Sequence, residues 1–278
     1  MSDKNLEFSI SNLFFMLFIF ILAQFILFNL FNLINNFISL PLKNPSLIFA
    51  LLSTPLILVM MLFWAKNYQD IELSSTITNW NTTSYKVIAL FLSTCGLNII
   101  LSEVNNISHH FFPLSKEIIT TLNQIIFTDS SSLILIFLVS TTINIILKEI
   151  LIRGLILKGM LNKYRPELAI LAIAVFQLLI NFSLYNLLTT LTISILLSWL
   201  YIQTRSILDC ILASLFFNLL PYLSIYFSPF KIQGFNTKFS TAVQFQPVWF
   251  NLLGIILLTS GSWLFFKHLN SEENKLLR

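Results

Sequence analysis

Three charged residues stand within seven positions at the end of an otherwise apolar segment, in the run Lys-Glu-Ile-Leu-Ile-Arg-Gly at 148–154. A charged side chain at the centre of a bilayer costs about 2.5–3.5 kcal/mol on insertion scales, so such residues usually face a protein interior or water and mark a function. Glu149 and Arg153 are four apart, which stacks them on one helix face where they can form an ion pair. Lys148 points about 100° away. In the alternative interpretation, Lys148 and Arg153 extend along the helix to the membrane surface.

Polar residues also recur at four-residue spacing on three apolar segments, and this spacing places them on one face of each helix. The three stripes are Ser140, Asn144 and Lys148; Gln177 and Asn181; and Cys210, Ser214, Asn218 and Tyr222. Ordinary hydrogen bonds between membrane helices explain a single stripe. Three stripes together predict a common polar cavity.

The order of these residues resembles the intramembrane protease family of CAAX prenyl endopeptidases and bacteriocin-processing or abortive-infection proteins. That family's motifs read Glu-Glu-x-x-x-Arg-Gly, Phe-x-x-x-His and His-x-x-x-Asn. The corresponding stretches here are Lys-Glu-Ile-Leu-Ile-Arg-Gly at 148–154, Phe-Gln-Leu-Leu-Ile at 176–180 and Ser-Leu-Phe-Phe-Asn at 214–218. The family core corresponds to region 140–223. The resemblance implies an eight-helix bundle with a hydrolytic site that is formed by the first Glu and both His around a metal.

This chain departs from the family at all three hydrolytic positions, which are occupied by Lys148, Ile180 and Ser214. The residues that carry over are Glu149, Arg153 and Asn218. As residual family positions, these three are the candidate site residues, and they suit orientation, helix pairing or oxyanion stabilisation. They do not suit the activation of water.

Catalytic zinc requires about three N or O ligands from the protein and an open water position. The histidines are His109 and His110, expected on the loop after the third span, and His268, just past the last span. We therefore predict no zinc and no other cofactor. A lysine base with a serine nucleophile, Lys148 with Ser214, is an alternative chemistry because burial can lower a lysine pKa.

The elements that position these residues are membrane helices. At 56% hydrophobic and 10% charged residues, the chain is an integral membrane protein. A span needs about 20 residues of helix. We predict an all-α, polytopic fold with about eight spans: 13–37, 46–65, 86–102, 131–148, 167–184, 187–203, 206–224 and 248–267. Segment 113–127 has helical spacing typical of a surface helix. With only 6 glycines, we expect close glycine packing to be rare and large side chains to fill the helix contacts.

Positive charge predicts the orientation. Ten of the 16 Lys and Arg residues fall on the side of the two termini and four on the other, and Lys148 and Arg153 are intramembrane. Both termini are therefore predicted to be cytoplasmic. The charge bias explains the net charge of +4 and gives no reason to invoke nucleic acid. We predict a single membrane domain over 1–278.

The sequence thus predicts a multi-pass, CAAX protease-like membrane protein that is catalytically degenerate. Its partners would be the lipid bilayer and a membrane protein, a transmembrane segment or a prenylated peptide. Whether the chain is an enzyme stays open at this stage. The alternatives are an active CAAX-type intramembrane endopeptidase, and a transporter or a subunit of a membrane complex.

Overall fold

The computed structural model describes residues 7–38, 45–69, 82–127, 130–181 and 186–276. Every regular element within these ranges is helical. In chain order the helices are α1 (Ile10–Ile38), α2 (Pro45–Gln69), α3 (Ser84–Phe111), α4 (Lys116–Ile126), α5 (Ser131–Glu149), α6 (Pro166–Asn181), α7 (Leu187–Thr204), α8 (Ile207–Phe227) and α9 (Val248–Leu276). Helix α5 continues directly into a π-helical segment (Ile150–Leu157) and a last α-helical turn (Lys158–Leu161). The all-α prediction is confirmed.

Six helices in the described residues are long and apolar enough to cross a membrane. Their spans are Ile10–Asn35, Ser84–Phe111, Ser131–Leu161, Leu187–Thr204, Ile207–Phe227 and Val248–Leu269. Two further apolar helices, Leu51–Ala65 within α2 and Pro166–Asn181, are shorter within the described residues. The prediction of a polytopic membrane protein is confirmed.

One compact unit comprises Met1–Thr78, Asp129–Phe182 and Thr190–Trp199. Within it, α2 packs against α1 and α5, and α1 packs against α6. Every side chain of the π-helical segment from Leu151 to Leu157 is buried, which makes this segment part of the unit's core. The backbone N–H of Phe8, just before α1, donates to the carbonyl of Gly159 in the turn Lys158–Leu161 at 3.1 Å.

Pro55 lies inside α2 without breaking it. A proline has no N–H, so it leaves the carbonyl four residues earlier, that of Leu51, without its helical donor. The hydroxyl of Ser140 on α5 donates to this carbonyl. Ser140, predicted as part of a polar cavity stripe, therefore satisfies the backbone of a neighbouring helix.

The second compact unit comprises Asn79–Thr128, Ser183–Thr189 and Leu200–Arg278. Its helices α3 and α9 run antiparallel, because Gly96 approaches Gly254 and Leu258 whereas Ser93 approaches Gly261. A Cβ added at Gly96 would lie 2.3 Å from the backbone nitrogen of Leu258. Close glycine packing was expected to be rare, and this interface is a place where it occurs. A low glycine count does not limit close approach when the few glycines are placed one or two turns apart on facing helices.

Helix α8 contains Pro221, which leaves the carbonyl of Phe217 without its helical donor. The side-chain amide of Asn98 on α3 donates to this carbonyl at 2.8 Å. Asn98 is itself buried. The same solution, a polar side chain from a neighbouring helix, is used at both helical prolines.

The predicted surface segment 113–127 contains α4, which begins where Ser115 accepts a hydrogen bond from the N–H of Ile118. Its position relative to a membrane stays a prediction. Asn123 on α4 exchanges two hydrogen bonds with the backbone of Phe239, at 2.9 and 3.0 Å. These bonds attach α4 to the segment that connects α8 and α9.

Candidate functional site

Glu149 and Arg153 form an ion pair that is enclosed by protein. The Nη1 atom of Arg153 lies 3.0 Å from Oε2 and 3.1 Å from Oε1 of Glu149. Their exposed fractions are 1% for Glu149 and 0% for Arg153. The predicted pairing at four-residue spacing is confirmed. The alternative in which Arg153 extends to the membrane surface is excluded.

The pair lies at a change of helix type that the sequence analysis did not predict. Glu149 is the last residue of α5, and Arg153 lies inside the π-helical segment Ile150–Leu157. π-Helical hydrogen bonds join residues five apart and are rare, and they frequently occur at functional sites. No proline or charge pattern in this stretch signals the change. The π-helical segment is the part of the site least accessible to sequence reasoning.

A second helix binds the guanidinium through its backbone. The Nη2 atom of Arg153 donates to the carbonyl oxygen of Ser194 on α7 at 3.2 Å. Ser194 belongs to a stripe with Thr190 and Ser198 at four-residue spacing, and all three are buried. Sequence analysis missed this stripe. The same spacing rule applied to α7 would have found it.

The two residues of the predicted stripe on α6 differ in exposure. Gln177 is buried, and its amide nitrogen has no hydrogen-bond partner within the described ranges. Asn181, four residues later, is exposed. Only Gln177 is therefore enclosed by the unit.

The residues at the three family hydrolytic positions have different surroundings. Lys148 and Ile180 are both half-buried in the first unit. Ser214 is buried in the second unit. Asn218 uses its amide within its own helix, donating to the carbonyl of Ser214 at 2.8 Å and lying 3.4 Å from its hydroxyl. The convergence of Ser214 and Asn218 with Glu149 stays a prediction.

Zinc does not fit the residues at these positions. Lys148 is a cation, Ile180 has no lone pair, and the Ser214 hydroxyl is engaged by Asn218. In the described part of the chain, no three His, Cys, Asp or Glu side chains are grouped to hold a metal. The expectation of no cofactor nevertheless stays a prediction.

The histidines are placed differently from the prediction in one respect. His109 and His110 belong to the last turn of α3 rather than to the loop after it, because α3 extends nine residues beyond the predicted end of the third span at residue 102. His268 lies in α9, where its Nε2 atom is 3.0 Å from the hydroxyl of Thr83. All three belong to the second unit.

Residues 130–220 match the protein-family model described as type II CAAX prenyl endopeptidase, Rce1-like. This third of the chain is therefore similar to the CAAX prenyl endopeptidases. The matched region extends from the start of α5 through most of α8 and contains Glu149, Arg153 and Asn218, so the resemblance drawn from the three motifs is confirmed. No curated protein and no solved structure was found to match the chain.

Proposed function

We propose that this CAAX protease-like membrane protein is catalytically degenerate and binds a membrane segment, a lipidated peptide or a partner subunit. The observation that carries the proposal is the state of Glu149. Its carboxylate is 1% exposed and lies 3.0 Å from the Arg153 guanidinium. A general base must reach the proton that it abstracts. A carboxylate that is enclosed and neutralised by a cation is unsuited to activate water on a substrate.

The neighbouring positions support the same conclusion. Lys148 replaces the residue that activates water in the family, and its ammonium repels a divalent cation at close range. Ile180 and Ser214 replace both histidines, so the usual nitrogen ligands for zinc are missing. The scaffold residues Glu149 and Arg153 remain, and their enclosed pairing supports a structural role. Loss of the reactive groups with retention of the scaffold is the pattern expected of a binding protein derived from a protease.

The apolar faces of α5 and α6 support the binding part of the proposal. Leu135, Val139 and Ile143 follow one another at four-residue spacing on α5 and are 64%, 49% and 45% exposed. They form an apolar face about 12 Å long on the helix that carries Lys148. A prenyl chain or a membrane helix can pack along such a face.

Photoreactive labelling tests this binding. We expect labelling of the protein by a photoreactive prenylated CAAX peptide to saturate with peptide concentration and to require the prenyl group. The Val139→Asp variant should not be labelled.

Zinc content tests the degenerate site. We expect the purified protein to hold no stoichiometric zinc, and the triple variant Lys148→Glu, Ile180→His, Ser214→His to acquire it. Ile180→His alone is the matched control, since one added ligand does not complete a set of three. Stoichiometric zinc in the unmodified protein would contradict the proposal. A folded triple variant without zinc would instead show that the three positions do not converge.

A further inference from the structure

Two serine hydroxyls on α7, the helix that binds the Arg153 guanidinium, are buried and lack a hydrogen-bond partner among the described residues. Ser194 and Ser198 are both 0% exposed, and neither Oγ atom has a hydrogen-bond partner among the described residues. Buried polar groups are nearly always hydrogen-bonded, because burial without a partner costs free energy. These two hydroxyls therefore require an explanation.

Helical serines usually satisfy themselves by donating to the carbonyl four residues earlier. Ser93, Ser108 and Thr204 do so here, at 2.8 to 2.9 Å. Ser194 and Ser198 do not. The carbonyl that Ser198 would use is that of Ser194, and it accepts from Arg153 Nη2 instead.

Ser194 and Ser198 both lie on α7, the helix whose backbone binds the Arg153 guanidinium. Arg153 Nη2 is 3.2 Å from the backbone oxygen of Ser194, and Ser198 follows on the same helix face, about 6 Å further along α7. The Nε atom of Arg153 also lacks a hydrogen bond in the part of the chain that the structure describes, whereas Oε2 of Glu149 lies 3.0 Å from Arg153 Nη1 in the ion pair. The unsatisfied groups are therefore one donor and two hydroxyls that can donate or accept.

We infer that Arg153, Ser194 and Ser198 form a water-binding site beside the Glu149 ion pair. A buried water typically makes about three hydrogen bonds to polar groups that are otherwise unsatisfied. A water here accepts from Arg153 Nε and donates toward the serine hydroxyls or Glu149 Oε2. It solvates the ion pair inside a membrane helix, where desolvation is the main cost of a buried charge pair. The inference does not depend on the proposed function, because an enclosed water site is compatible with a catalytic or a binding role.

The direction in which serine-to-alanine substitutions shift the midpoint of thermal unfolding tests the site. If the hydroxyls bind water, Ser194→Ala and Ser198→Ala should each lower the midpoint of thermal unfolding by about 2–4 °C. The double variant should lose less than the sum, since both hydroxyls hold the same water. Ser108→Ala, whose hydroxyl bonds only within its own helix, is the matched control and should change little. An unchanged or raised midpoint in both α7 variants would mean that the hydroxyls are dry, and would overturn the inference.

A second measurement uses the unmodified protein and does not depend on how any variant folds. Water-edited solid-state NMR detects magnetisation passed from water protons to an arginine Nε–H. The dipeptide Ile152-Arg153 is the only Ile-Arg in the chain, so carbonyl-labelled isoleucine with labelled arginine assigns the residue. We expect rapid transfer to Arg153 Nε–H. Transfer no faster than to the backbone amides of the π-helical segment would overturn the inference.

Discussion

At the scale of single residues, the sequence predicts pairs that share a helix and misses partners that come from another one. Glu149 and Arg153 are four apart, so their ion pair follows from helix geometry alone. The contact of Arg153 with Ser194 uses a backbone carbonyl. Every residue has such a carbonyl, so residue type carries no signal for this contact. The charged part of the site was therefore predictable, and its second helix was not.

Because the ion pair is enclosed, we expect removal of one charge to destabilise the fold strongly and removal of both charges to restore most of the stability. Glu149→Ala should lower the free energy of unfolding by about 3–5 kcal/mol, because it leaves the Arg153 charge buried without its partner. The double variant Glu149→Leu, Arg153→Met should recover most of this loss, since it removes both charges and keeps similar volumes. Chemical unfolding in detergent measures both, with the exposed Glu167→Ala as control. Equal stability of Glu149→Ala and the unmodified protein would show that the pair contributes nothing.

At the scale of helices, local rules predict which backbone groups need partners but not which side chains supply them. The prolines at 55 and 221 mark the carbonyls of Leu51 and Phe217 as deprived of donors. Ser140 and Asn98 supply the donors from other helices. The π-helical segment had no such marker, because its sequence is as compatible with an α-helix. Its stability depends on packing that only the folded chain contains.

A double-mutant cycle tests the role of Asn98. In the unmodified background, Asn98→Ala should cost about 1–3 kcal/mol because the buried carbonyl of Phe217 loses its donor. In the Pro221→Ala background the cost should be much smaller, since the introduced alanine has a backbone N–H that can bond this carbonyl. The coupling energy from chemical unfolding is the readout. Additive effects of the two substitutions would contradict the assignment.

The contact of α3 with α9 predicts that alanine substitutions of its glycines destabilise the protein to different degrees. A Cβ added at Gly96 or Gly261 would lie 2.3 or 2.4 Å from a backbone nitrogen of the facing helix. A Cβ at Gly254 would first meet the side chain of Ile99, at 2.8 Å, and a side chain can shift more easily than a backbone. We expect Gly96→Ala and Gly261→Ala to lower the thermal unfolding midpoint clearly more than Gly254→Ala. The reverse order would show that the two helices separate at little cost.

At the scale of the whole molecule, hydrophobicity predicted the class of the protein and its apolar segments but not how these segments group. Six helices in the described residues are long and apolar enough to span a membrane. The division into two compact units joins segments that are distant in the chain. No composition shift marks such a division. The family match covers residues 130–220, so the organisation of α1 to α3 was predictable only as hydrophobic helices.

The charge bias predicts that both termini are cytoplasmic. A reporter fused after Arg278 should therefore be active only in its cytoplasmic form. As the opposite control, Thr241→Cys places an exposed thiol in the segment between α8 and α9, and it should react with a membrane-impermeant maleimide from outside intact cells. An exported reporter, or a thiol protected from outside, would contradict the orientation.

Catalytic degeneracy is tested by a cleavage assay on the purified, reconstituted protein with a prenylated CAAX peptide, with and without a chelator. Because the Glu149 carboxylate is enclosed and paired with Arg153, and Lys148, Ile180 and Ser214 stand at the hydrolytic positions, we predict that the peptide is recovered intact under both conditions. Chelator-sensitive cleavage that disappears in a folded Glu149→Gln variant would contradict the proposed degeneracy, and would make Glu149 the base of an active protease.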